Sequence, residues 1–108
     1  MANTYATVAV PASDGVGAST DLGTSVHSST VMLAFPSAPP TGNGTFTFEG
    51  SFDNTHFASI VSFPDQIDGV RILQPPQDGG IALVRYVRVR RANTTASTPV
   101  TPYAGVSA

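Results

Sequence analysis

The sequence predicts an all-β domain, an antiparallel β-sandwich or jelly roll of about seven to eight short strands with extended terminal arms. Three observations predict it. Residues 45–63 (TFTFEGSFDNTHFASIVSF) and 81–91 (IALVRYVRVRR) alternate apolar and polar side chains at period 2, the mark of half-buried strands. Strong helix formers are scarce: lysine is absent, glutamate occurs once, at Glu49, and Val, Thr and Ser dominate. Turn signals built on Gly, Pro and Asp recur every ten or so residues.

Taken in order, residues 5–10 (YATVAV) read as a first strand stopped by Pro11. Residues 12–23 (ASDGVGASTDLG) read as a turn-rich loop, with Asp14-Gly15 its clearest turn. Residues 26–35 form a second strand region. Its end, residues 31–35, is continuously apolar, as in a strand buried on both faces or one that meets a partner. The prolines and glycines of residues 36–44 make that segment a loop.

Residues 45–52 place Phe46, Phe48, Gly50 and Phe52 on one face and Thr45, Thr47, Glu49 and Ser51 on the other. Gly50 marks a bulge or a close approach of another segment. Asp53-Asn54-Thr55 is a tight turn, and residues 57–63 return as the partner strand, with Phe57, Val61 and Phe63 in phase. Residues 65–80 are a connection that holds a short strand at 70–73. Residues 81–91 are the longest expected strand. There Arg85 falls on the face of Leu83, Val87 and Val89, so a bulge near Arg85-Tyr86 is expected to shift the phase. The expected core is Phe46, Phe48, Phe52, Phe57, Val61, Phe63, Leu83, Val87 and Val89.

The 108 residues are read as a single sandwich domain, 1–108, with a possible N-terminal strand and arm over 1–24 and a possible C-terminal arm over 92–108, the tail after Arg91 being either an extended edge strand or an arm that reaches a neighbour. No cysteine is present, which removes disulfides and thiolate metal sites. No apolar run is long enough to cross a membrane. Residues 1–10 lack the basic and apolar regions of a secretory signal, so synthesis in a host cytoplasm is expected.

Charged residues make up 11% of the chain, against roughly 25% in an average domain, so its surface is a poor solubiliser for a free monomer and suits an assembly. The charges are also segregated. Residues 1–70 hold six acids and no base, whereas residues 71–108 hold five arginines and one acid, Asp78. Either the two halves pair their charges within one molecule, or the asymmetry steers contacts between copies.

Chemistry finds little support in the residues. His27 and His56 lie far apart and without ligand spacing, His56 reading as a solvated loop residue, so no metal site is expected. No serine stands in a nucleophile-elbow context, and the acids do not form a calcium loop. The absence of lysine excludes a Walker A loop and Schiff-base chemistry. No enzymatic activity and no cofactor are expected. Arg85, Arg88, Arg90 and Arg91 around Tyr86 resemble a basic strand, but a pI near 5.4 argues against nucleic acid. Arginine alternating with valine on a strand suits a solvent or protein-interface face. Asn43-Gly44-Thr45 and Asn93-Thr94-Thr95 match the glycosylation sequon by chance in a Thr-rich chain.

The run Gly50-Ser51-Phe52-Asp53-Asn54-Thr55-His56-Phe57, followed by Ser62-Phe63 and by Tyr86-Val87-Arg88-Val89-Arg90, resembles a pattern of small β-sandwich structural proteins of tailed bacteriophage virions. There a strand ends in G-S-x-D-G-x-x-F/W and a late strand reads Y-x-R-V. Asn54 stands where those proteins usually carry Gly, and Asn tolerates the left-handed conformation next best. The resemblance covers about half of the chain, and its motifs are structural. It implies a virion component, given the size a capsid decoration (cement) protein that binds the major capsid protein lattice and copies of itself. A tail or baseplate component and a glycan-binding module are the alternatives, the last weakened by the absence of tryptophan. Interface candidates are Arg85, Arg88, Arg90 and Arg91 for polar contacts, with Tyr5 and Tyr103 anchoring the arms.

Overall fold

A computed structural model describes residues 5–22, 30–63, 70–73 and 85–107; residues 5, 30, 70–73 and 107 are described as backbone only. The described residues are all-β, in two antiparallel sheets. The strands are β1 (Tyr5–Val8), β2 (Gly15–Val16), β3 (Thr20–Asp21), β4 (Thr30–Ala34), β5 (Thr45–Ser51), β6 (Ala58–Phe63), β7 (Val70–Leu73), β8 (Tyr86–Ala92) and β9 (Tyr103–Ser107). One sheet runs β1-β9-β4-β7; the other runs β2-β8-β5-β6, with β3 also on β8.

β2 and β3 pair with successive parts of the same strand, Gly15 with Arg91 and Thr20 with Val87. They are one edge strand interrupted at residues 17–19, and Gly17 N donates to Val89 O at 2.9 Å within that interruption. A side chain at Gly17 would collide with the Ala9 carbonyl, so the close crossing of this segment over the first requires glycine. Counting β2 and β3 together, eight strands pair first with last, second with seventh, third with sixth and fourth with fifth. That is one long antiparallel hairpin rolled over itself, the jelly-roll form of the sandwich. Its tip is the turn between β5 and β6.

The core lies between the sheets: Val8, Val31, Leu33, Phe35, Phe46, Phe48, Ile60, Phe63, Val87, Val89, Ala104 and Val106 are buried. Phe35 meets Phe46 edge to face, centroids 5.7 Å apart, and Phe48 lies 5.7 Å from Phe63. Full burial of each such ring contributes on the order of 2–3 kcal/mol. In β4 and the residue that follows it, Val31, Leu33 and Phe35 are buried while Met32 and Ala34 are half-buried, so the apolar run is covered fully on one face only.

Several expectations are corrected. Phe52 is 70% exposed, because β5 ends at Ser51 and the turn carries the next residue off the inward row. Phe57 and Val61 are half-buried and Ile60 takes the core position. The cause is a bulge in β6: Phe48 pairs with Val61 but Glu49 with Ser59, which leaves Ile60 as the extra residue. Arg85 lies at a bend before β8, and that bend rather than a bulge takes it off the inward face. Residues 12–23 hold an edge strand where a loop was expected. β1 and β9, near the two ends of the described residues, pair with each other in one sheet. β9 runs between β1 and β4, with Ala104 and Val106 buried, because the last strand closes the roll against the first. Leu83 and His27 fall outside the described residues.

Candidate interaction surface

β8 sorts its arginines by alternation. Val87, Val89 and Arg91 point between the sheets; Tyr86, Arg88 and Arg90 point outward. Each is met by a strand from the acidic half of the sequence. Arg88 pairs with Glu49 in register, and its Nε donates to Glu49 Oε1 at 2.7 Å. Arg90 Nε donates to Oε2 of the same carboxylate at 2.9 Å. Phe57 lies under the Arg88 guanidinium, 3.8 Å from ring centroid to Cζ, so that side chain is gripped from two directions. The Glu49 side chain is 10% exposed, against 22% for Arg88 and 48% for Arg90. Burial works against ionisation of Glu49, but the hydrogen bonds and charges of Arg90 and Arg88 outweigh it and hold its carboxyl below the usual range.

Arg85 chelates Asp21 through Nε and Nη2, at 3.0 and 3.1 Å, and its guanidinium lies 5.3 Å from the Tyr86 ring. Acids early in the sequence thus meet arginines late in it, because β8 lies between β5 on one side and β2 and β3 on the other. The segregation of charge along the chain becomes pairing in space.

Arg91 behaves differently. Its residue is 1% exposed, so it is withdrawn from any surface contact. Its guanidinium donates to the carbonyls of Asn43, Pro11, Ala12 and Val100 and to Asn43 Oδ1, at 2.9 to 3.3 Å, and stands 4.9 Å from the Phe46 ring. Asn43 in turn donates from Nδ2 to Val100 O at 3.0 Å and accepts from Val100 N at 2.7 Å. This knot ties three loops at one end of the sandwich. It also buries the Asn43 amide completely, which shuts the first sequon.

At the hairpin tip, Asp53 Oδ1 accepts from Thr55 N and His56 N, each at 2.9 Å, and Oδ2 lies 2.7 Å from His56 Nδ1. Ser51 Oγ accepts from the amides of Asp53 and Asn54 and donates to Asp53 Oδ1. Asn54 takes the left-handed conformation, φ 63°. The donors from His56, Thr55 and Ser51 hold the Asp53 carboxyl well below the carboxylate range. His56 is 87% exposed, in keeping with a solvated loop residue that braces its turn. Among the described residues no group of His, Cys, Asp or Glu could hold a metal ion.

Tyr103 is exposed beside an open apolar hollow lined by Ala34, Phe35, Pro36, Thr101 and Pro102. Tyr5 is described as backbone, in register with Ser107. Tyr86 and His56 do not line that hollow. The grouping of Arg88 and Arg90 on one buried glutamate was not expected from sequence. The lone glutamate facing two arginines across a predicted sheet was the available signal. Set against protein-family models, curated proteins and solved structures, the chain matches none of them.

Proposed function

We propose that the chain is a non-enzymatic structural protein of a phage particle, a capsid decoration protein that binds the major capsid protein lattice and stabilises the head. The observation that carries this reading is the placement of the two segments that carry the resemblance. They fold as neighbours in one sheet: Gly50 pairs with Val87 and Ser51 with Tyr86, at the tip of the jelly roll. A fragmentary likeness in sequence thus corresponds to one continuous piece of structure. The jelly roll itself supports the reading as an analogy of fold, since viral capsid domains use it, as do lectins. A surface low in charge and rich in Ser, Thr and Ala fits a protein held in an assembly.

The test is co-sedimentation of the purified protein with capsid shells of its own phage, stripped of decoration proteins. Saturable binding, with density at a capsid symmetry axis in an electron-microscopy map, is the expected result. A stable monomer that leaves the shells bare overturns the reading; density on the tail moves the protein there.

A further inference from the structure

The outward face of the β2-β8-β5-β6 sheet presents two rows of side chains that include both outward arginines of β8. Across one row stand Val16, Arg90, Thr47 and Ser62; across the next stand Arg88, Glu49 and Ser59, with Phe57 stacked on Arg88. Arginine and aromatic side chains are enriched in protein-binding patches, and Arg88, Arg90 and Phe57 supply them here. Val16 is exposed, and Thr47 and Ser62 satisfy each other at 3.0 Å.

The two guanidiniums are unevenly used. Glu49 occupies the Nε–H of each. Among the described residues no acceptor meets the Nη groups of Arg88 or Arg90, though these carry most of a guanidinium's donors. One carboxylate against two guanidiniums leaves a net charge of one positive. Arg88 is further fixed by Phe57, so its side-chain entropy is already spent.

We propose that this face is a docking surface for a partner protein that presents Asp or Glu side chains, received by the Nη edges of Arg90 and Arg88, which no acceptor among the described residues occupies. The proposal rests on the reading of the chain as a protein-binding structural component, and it names the face and the chemistry. The partner's carboxylate completes a Glu49–Arg–carboxylate alternation in which each planar fork can be bidentate.

The experiment uses a fluorescent hexaglutamate peptide as probe, so it is independent of any capsid. Anisotropy titration at low salt is expected to show weak, salt-sensitive binding. Arg90→Glu is expected to weaken it by at least about tenfold, and Arg90→Gln severalfold. Arg85→Glu, which alters net charge equally but lies at the bend before β8, is expected to cost far less. Thermal melts identify any variant that fails to fold, and Arg90→Gln keeps the test open if Arg90→Glu does. Equal losses for Arg85→Glu and Arg90→Glu mean attraction by net charge alone and overturn the proposal. So does an absence of binding by the wild type. Displacement by inorganic sulfate as effective as by unlabelled hexaglutamate assigns the site to small anions and overturns the partner class.

Discussion

Arg90 and Arg91 are adjacent in sequence and opposite in every other respect. Arg91 points between the sheets, donates to backbone carbonyls of three loops and has no carboxylate partner among those bonds. Arg90 points to solvent and shares Glu49 with Arg88. The difference teaches that the sheet's two-residue period, more than residue type, decides whether an arginine serves the fold or faces a partner.

The sharpest way to break the comparison is to remove the inward guanidinium. Arg91→Met leaves the carbonyls of Asn43, Val100, Pro11 and Ala12 short of donors in a closed space. A loss of about 3–5 kcal/mol is expected in chemical denaturation. Asn43→Ala takes away the second half of the knot and is expected to cost about 2–3 kcal/mol by the same measurement.

Glu49→Gln tests the outward side. It leaves two guanidiniums facing each other at a half-buried site, and about 1–2 kcal/mol is expected to be lost at neutral pH. The sign of its pH dependence follows from its carboxyl. The folded value lies below the unfolded one, so its contribution is complete above the unfolded value of roughly 4.3 and drains as pH falls through the folded value. The gap between wild type and Glu49→Gln is therefore expected to narrow below about pH 4, read as converging melting temperatures. Arg90→Gln is expected to change stability by no more than about 0.5 kcal/mol, because the Arg90 end of the pair is half-exposed and Arg88 still pairs with Glu49. Arg91→Met and Arg90→Gln melting alike would erase the distinction between the two arginines.

Much of the fold was legible because the alternating strands are long. Phe46, Phe48, Phe63, Val87 and Val89 follow period 2 into the core. Phe52 misled because periodicity does not mark where a strand ends; Ser51 closing the turn on Asp53 does. Phe57 and Val61 misled because the bulge at Ile60 breaks the phase, and Ser59 falling in an apolar row was its trace. β9 was hidden because small residues suffice where a strand is covered from both sides by neighbours. Gly105 pairs with Thr7 on one edge and Met32 on the other.

The surface was less legible. Four arginines of β8 and the bend before it were grouped as one set of polar contacts, but their roles depend on which side of the sheet each faces. Arg91 was lost to the interior because its acceptors are carbonyls of residues 11, 12, 43 and 100. No side-chain pattern announces such partners.

The most direct test of the proposed capsid role is an electron-microscopy map of decorated phage shells with this chain resolved. Under that proposal the β2-β8-β5-β6 face lies against the shell, with Arg88 and Arg90 within hydrogen-bonding reach of carboxylates on the capsid protein. The chain seated by its Tyr103 face, with Arg88 and Arg90 open to solvent, would contradict it.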